Sequence, residues 1–349
     1  MATRSLLYSR AENEALRQEM ERDARVFVMG EDVAGGAGRA AQGIVDAWGG
    51  PMGATKGLIQ QFGPERVIDT PICEMSFIGA AVGAAVTGMR PVAELLFVNF
   101  VGVALDSVMN EAAYLRYMLG GQVSVPLVIK TAIGATAMDP PNGGGSAAQH
   151  SGSMYSLFAH IPGLKCVAPS DAYTAKGLLT AAIRDDDPVV YCSHRRLLTT
   201  SCEVPEEPYA LPLGKARTLR QGRDVTLVGI ARMTQVCLEA AEQLASEGLE
   251  AEVVDLLSLA PLDEETILDA VRRTKRLVVV DEDQPRCSVA RDVAAMVAER
   301  AIDYLDAPIK TVTGAHAPVP FSGPLEAAYV PSAASVVAAV RAALRDEED

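Results

Sequence analysis

Apolar and polar positions along the chain follow two alternating rhythms. Residues 10–23 mix charged and apolar positions at helical spacing, and the apolar run 26–29 behind them is short enough for a buried strand. Further strands are predicted at 91–97, 125–131, 164–168 and 189–192, separated by helices at about 74–88, 100–119, 151–160 and 171–184. Such alternation predicts parallel strands covered by helices, with ligand-binding groups gathered in loops at the carboxyl ends of the strands. From 199 to 213 the rhythm breaks into a polar stretch whose three prolines continue neither ladder, and it reads as a linker. A second series follows, with strands at 225–230, 251–255, 277–280 and 309–312 and helices at about 234–247, 263–273, 287–301 and 333–345. The expected fold is α/β: two doubly wound domains with mostly parallel sheets, at 1–198 and 216–349, joined by residues 199–215.

Composition narrows the function classes. The 349 residues suffice for two domains, and 49% hydrophobic with 22% charged residues is the balance of a globular protein. Lys plus Arg total 31 against 45 Asp plus Glu; a net charge of -14 without a basic stripe repels a phosphate backbone, so nucleic acid is not an expected partner. The nearly uncharged stretch 77–89 is rich in Gly and Ala and too short to span a bilayer. Arg4, Arg10, Glu12, Glu14 and Arg17 interrupt the amino terminus where a secretion signal would be apolar, so the expected location is cytoplasmic, without membrane attachment. The six cysteines form no C-x-x-C pair and are expected as small buried hydrophobes rather than zinc ligands or disulfides.

Candidate chemistry begins with glycines. Gly35-Gly36-Ala37-Gly38 and Gly143-Gly144-Gly145 lack the context of phosphate-binding loops, and no G-x-S-x-G elbow is present. Asp69-Thr70-Pro71-Ile72-Cys73-Glu74 is more informative: Thr70 can cap, Pro71 suits a first helical position, and Glu74 opens a helix made almost wholly of Gly, Ala, Val and Ile. The plain account is an acid answering the helix dipole, and the alternative is an acid that gives a hydrogen bond to a cofactor. Burial would raise its pKa and the helix terminus would lower it. His150 follows a Gly-rich loop, with Ser151 placed to cap the next helix; it is either a surface or capping group or a proton donor near neutral pH. Residues 184–188 read as a helix end followed by a turn.

Taken together, these residues resemble a known family. The carriers are Val28-Met29-Gly30-Glu31-Asp32-Val33, Thr55-Lys56-Gly57-Leu58, Phe62-Gly63-Pro64-Glu65-Arg66-Val67, the segment from Asp69 to Glu74, Gly120-Gly121-Gln122 and Ala148-Gln149-His150-Ser151. Ile161-Pro162-Gly163-Leu164, Ala175-Lys176-Gly177-Leu178, Val279-Val280-Asp281-Glu282 and Pro318-Val319-Pro320-Phe321 continue the series into the second half. The whole chain is similar to beta subunits of the thiamine-diphosphate-dependent 2-oxo acid dehydrogenase component, the group of pyruvate, branched-chain and acetoin dehydrogenases. Asp46-Ala47-Trp48-Gly49-Gly50, Arg116-Tyr117-Met118 and His160-Ile161-Pro162-Gly163 most resemble the acetoin-cleaving type.

The resemblance implies a transketolase-like pyrimidine-binding domain followed by a transketolase-like C-terminal domain. It implies that Glu74 holds the aminopyrimidine of thiamine diphosphate, so that the exocyclic nitrogen can take the proton from the thiazolium carbon. Leu96 and Phe100 would pack on the pyrimidine, Glu31 would join an acidic relay between paired sites, and His150 would help pass the two-carbon unit to a lipoyl group. Leu127, Ala182, Ile183, Asp185 and Asp187 match positions that hold a structural potassium ion, largely through carbonyl oxygens. The Gly-Asp-Gly motif and distant Asn that grip the diphosphate through magnesium are absent here. The resemblance therefore implies an alpha subunit that brings the Mg2+ half of the site, an alpha2-beta2 heterotetramer, and a lipoamide acyltransferase as the next partner. Small residues between 79 and 88 would allow close approach at such an interface, and the acidic tail 346–349 could meet a basic patch. Ser193-His194-Arg195-Arg196, the enlarged 139–145 loop and Gly152 depart from the family pattern and bear on the substrate, which pyruvate or a branched-chain acid would also fit. A noncatalytic scaffold subunit and a single-chain transketolase-like enzyme are the alternatives from other classes.

Overall fold

A computed structural model describes residues 3–35, 50, 52–136 and 145–345. Gly36-Ala37-Gly38, Asp46-Ala47-Trp48-Gly49, nearly all of the 139–145 loop and the 346–349 tail lie outside the described residues. Contacts divide the chain into a first unit, Met1–Ile133 with Leu157–Leu213, and a second, Gly134–Ser156 with Gly214–Asp349.

The first unit contains β1 (Thr3–Leu7), α1 (Tyr8–Arg22), β2 (Val26–Gly30), α2 (Leu58–Phe62), β3 (Val67–Asp69), α3 (Glu74–Val86), β4 (Arg90–Phe97), α4 (Val101–Asp106), α5 (Leu115–Met118) and β5 (Val128–Ile133). After α6 (Tyr155–Ala159) it continues through β6 (Lys165–Val167), α7 (Ala172–Arg184), β7 (Val189–His194) and β8 (Ser201–Pro205). Its strands lie in the order β6-β7-β5-β4-β2-β3 and pair in parallel, for example Gly30 opposite Glu94 and Val128 opposite Val189. The apolar runs read from the sequence become strands such as β2, buried along its whole length. Each fully buried Val or Leu there contributes about 1.5–3 kcal/mol, which outweighs the modest intrinsic preference of any one residue. α7 starts sharply because Asp171 and Thr174 cap it reciprocally.

The predicted helix at 100–119 is not continuous: α4 widens into a π-helical stretch, Ser107–Ala113, before α5. Gly163 lies against this widening at φ +93°, where a Cβ would meet the Ala113 carbonyl oxygen. The predicted linker is more ordered than its prolines suggest. Ser201–Pro205 forms β8, antiparallel to β1, with Leu7 opposite Ser201. Lys176, wholly buried, holds the residues beyond it, donating to Glu14 (2.6 Å) and to the carbonyls of Pro205 (2.6 Å) and Glu207 (2.9 Å).

The second unit contains β9 (Arg217–Arg220), β10 (Val225–Gly229), α8 (Arg232–Ala245), β11 (Ala251–Asp255), β12 (Ser258–Ala260), α9 (Glu264–Thr274), β13 (Leu277–Asp281), α10 (Val289–Ala301), β14 (Lys310–Thr313), α11 (Gly323–Tyr329) and α12 (Ala333–Arg345). Its sheet runs β14-β13-β10-β11-β9, parallel except for the β9 edge. α8 and α12 pack together over a core that includes Leu227, Val253, Met233, Val336 and Val340. The stretch Gly323–Leu344 is long and apolar enough to cross a membrane. It is broken between α11 and α12, however, and Val336 and Val340 of α12 belong to that core. Three cysteines depart from expectation: Cys73 and Cys287 are exposed and Cys202 is half-buried.

Candidate active site

Parallel pairing of β2, β3 and β4 brings their carboxyl ends side by side, and the chain then places its acids there. Gly30 ends β2, where a Cβ would press on the Glu94 carbonyl at 2.7 Å, and its own carbonyl accepts the Thr70 N–H at 3.0 Å. Asp69 accepts the Ala34 N–H at 2.6 Å and tightens the same junction. Glu31 leaves the end of β2, and Glu74 is the first residue of α3. Pro71 lies before the helix rather than at its first position, and neither Thr70 nor Cys73 caps it through a side chain.

Glu31 and Glu74 are both half-buried and feel each other. Burial, then Asp32, then Glu74 pushes the Glu31 carboxyl above its usual range, so a proton is held there more readily than on an ordinary glutamate. Leu96, 8% exposed, lies next to the end of β4, and Phe100 follows in the turn that leads into α4, its ring edge-on to Phe97 at 5.7 Å. α3 packs on both β4 and α4. Fold and sequence therefore bring Glu31, Glu74, Leu96 and Phe100 to one end of the first unit. Two neighbouring carboxyl groups beside apolar side chains suit a planar nitrogen heterocycle that needs a hydrogen-bond partner at its ring edge.

The five residues assigned to a metal also come together. Leu127 accepts the Val189 N–H at 2.9 Å, and the carbonyls of Ile183 (3.0 Å) and Asp185 (2.8 Å) accept from Arg90. Lys165 donates to both Asp185 carboxylate oxygens at 2.8 Å and lies 3.2 Å from Asp187, which also pairs with Arg116. Burial raises the Asp187 carboxyl, but Arg116 and Lys165 outweigh it and hold it below the usual range. Ala182 is buried in α7 beside them. Among the described residues, no group of three or more His, Cys, Asp or Glu side chains has the spacing of a metal site.

His150 is part of the second unit. It ends a short 3-10 turn, Ala148–His150, and Ser151 behind it is buried. Ser151 does not cap a helix, because α6 begins four residues later at Tyr155. Sequence reasoning assigned no role to the acids that close β13. Asp281, Glu282 and Asp283 are all buried, and burial followed by Asp283 pushes Asp281 up to about 7. Three acids directly behind an apolar strand were the available signal. A second missed group is Lys130, buried inside β5 with Glu12 at 3.4 Å and Glu94 at 3.5 Å.

Comparison with known proteins gives matching results for both halves. The transketolase pyrimidine binding domain family matches residues 4–200, and the transketolase C-terminal domain family matches 214–336. The chain is 51% identical over 342 residues to acetoin:2,6-dichlorophenolindophenol oxidoreductase subunit beta of Cupriavidus necator, covering 98% of each chain. It is 49% identical to the Bacillus subtilis protein of that name, covering 96% of each. It is 42% identical to pyruvate dehydrogenase E1 component subunit beta of Rickettsia felis, covering 94% of this chain and 95% of that one. Among solved structures, a split-gene transketolase described as an inactive beta4 tetramer superposes with a TM-score of 0.75 at 26% identity, covering 98% of this chain and 99% of the other.

Proposed function

This chain belongs to the family of beta subunits of acetoin and 2-oxo acid dehydrogenases built on transketolase domains, and from that premise we propose that it forms, with an alpha subunit, the site at which acetoin is cleaved. The observation that carries this reading is Glu74, an acid opening an apolar helix beside Glu31, at the joined ends of β2, β3 and β4. Thiamine diphosphate, when bound, supplies the nucleophilic carbon for cleavage of acetoin or for decarboxylation of a 2-oxo acid. Glu74 would hold the aminopyrimidine ring nitrogen, and Leu96 and Phe100 would cover the ring and keep water from it. Glu31, already biased toward its protonated form, would exchange a proton with its surroundings. His150 would serve the transfer of the acyl group to lipoamide on a partner acyltransferase.

Large apolar side chains on the first unit support the alpha partner. Ile72, Met75, Val103, Tyr117 and Met118 are 57 to 90% exposed. They belong to the turn before α3 and its first residues, to α4 and to α5, and side chains of this size left in water are the usual mark of a covered surface. The magnesium ion would come with the alpha chain, in keeping with the missing Gly-Asp-Gly motif. Purified alone with thiamine diphosphate and Mg2+, the chain should not reduce dichlorophenolindophenol with acetoin. Co-purified with an alpha chain carrying that motif, it should do so as an alpha2-beta2 particle. Turnover by this chain alone would overturn the shared site, and an inactive assembled pair would favour a scaffold.

For potassium, backbone oxygens at Leu127, Ala182, Ile183 and Asp185 support a site, since a hard monovalent cation takes oxygen ligands of this kind. Asp185 and Asp187 are already compensated by Lys165 and Arg116, and the Ile183 and Asp185 carbonyls also accept from Arg90, so the ion would share these oxygens and stabilise modestly. Exchange of sodium for potassium at constant ionic strength should raise the Tm by a few degrees, and identical Tm values would remove this site.

A further inference from the structure

The His150 segment is fastened within the second unit on both described legs, and the fasteners include three acids at the end of β13. On its entering leg, the Ala135 N–H donates to Glu282 at 2.6 Å. Ala135 itself packs with Val319 and Tyr329. Just before the histidine turn, the Gly145 N–H donates to the Phe321 carbonyl at 2.9 Å, and a Cβ at Gly145 would collide with Glu326. On the leaving leg, the Tyr155 hydroxyl donates to Asp281 and the Ser156 hydroxyl donates to Asp283 at 2.6 Å. The Gly134 N–H reaches the Gly152 carbonyl at 2.9 Å and joins the two legs.

The acids are in turn held by the strand end. Asp281 accepts the N–H groups of Asp283 (2.8 Å) and Ala290 (3.1 Å), while Tyr155 and Asp281 are both almost completely buried. Three consecutive buried carboxylates are costly unless each has partners, and here each accepts from one leg of a single segment. Groups on both sides of His150 are thereby fixed to a rigid parallel sheet. A histidine that hands a group to an incoming carrier needs such placement, since a displacement of about 1 Å can lower a rate about 100-fold.

We infer that Asp281, Glu282 and Asp283, acting through Tyr155, Ser156 and the Ala135 N–H, are positioning residues for His150, so that the C-terminal domain sets the geometry of acyl transfer to lipoamide. In that transfer the disulfide is the two-electron oxidant: one sulfur takes the two-carbon unit as an acyl group, the S–S bond breaks, and the other sulfur leaves as a thiol with a proton delivered by His150. This rests on the proposed role of His150 in that transfer.

The test uses the reconstituted alpha–beta enzyme and two acceptors, dichlorophenolindophenol and free dihydrolipoamide's oxidised form, lipoamide. Tyr155→Phe and Glu282→Ala should lower the lipoamide-dependent kcat about tenfold or more, with the acetoin KM and the dye-dependent rate within twofold of the parent. Asp283→Asn, which keeps an acceptor for Ser156, should retain most of the lipoamide rate, whereas Asp283→Ala should lose it. Combined with His150→Ala, Tyr155→Phe should add no further loss, because the two act on one step. Amide exchange at residues 145–152 should speed up in Tyr155→Phe. Equal loss with both acceptors, additive loss with His150→Ala, or unchanged exchange would overturn the inference. If His150→Ala itself leaves lipoamide transfer intact, the role given to His150 fails and the inference with it. Dye-dependent turnover would still report separately on Glu74 and the cofactor.

Discussion

Glu74→Gln should lower acetoin-dependent turnover about 1000-fold, with either acceptor, in an enzyme that still assembles with its alpha partner. The glutamine keeps the length and the polarity of the side chain at the first position of α3. It removes the one thing an amide cannot provide, a proton that moves between the side chain and a ring nitrogen. Proton transfer by a positioned group contributes typically 100- to 10,000-fold. Glu31 is the nearest candidate, yet it leaves β2 rather than α3 and already holds its own proton more tightly than usual. The measurement is kcat on the purified pair, with size-exclusion chromatography to confirm assembly. A rate within twofold of the parent would remove Glu74 from the mechanism.

Lys130→Met should destabilise the chain by about 3–5 kcal/mol, the usual cost of leaving buried charge without its partner. Lys130 lies inside β5 with Glu12 and Glu94 around it, all three almost completely buried. Burial opposes the ammonium charge, but the two glutamates outweigh it and hold the Lys130 pKa above its ordinary value. For Glu12, burial raises the carboxyl, Lys130 opposes the rise, and the net shift is upward. A raised carboxyl favours the folded state below its unfolded pKa of about 4.3 and loses that contribution as pH rises through the folded value. Without Lys130 the folded value moves higher still. The destabilisation should therefore be smallest near pH 4 and grow as the pH rises, and urea unfolding at several pH values measures it. A second substitution, Glu12→Gln, should recover part of the loss. A loss independent of pH would mean that only packing had changed.

The alternation of buried strands and helices was legible because parallel sheets covered by helices demand continuous apolar runs, and β11 matches its predicted span of 251–255. β1 and β8 were not legible. Along β1, exposed and half-buried residues alternate, so the pattern lacks an apolar face to recognise, and pairing depends on a strand nearly two hundred residues away. The π-helical widening after α4 has no local signature either, and its contact with Gly163 joins positions about fifty residues apart. At the candidate site, Glu74 stood out because a lone acid opened an apolar helix. Lys130 could have been noticed for the same reason, as a charge inside an apolar run. Its partner Glu12 could not, because an acid in an amphipathic helix normally faces water. The acids closing β13 were visible as residues, but their partners Ala135, Tyr155 and Ser156 are distant in sequence and offer donors common to any loop.

The assignment of 134–156 to the second unit has a bearing on how this protein can be cut or recombined. A fragment begun at Gly214 would carry Asp281, Glu282 and Asp283 with their donors from 134–156 left behind, and a fragment ended at Leu213 would carry a detached loop. Chimeras with related subunits that swap everything past the proline-rich stretch would mix a histidine segment from one parent with its fasteners from another. Crossovers that exchange 134–156 along with 214–349 keep those partners matched.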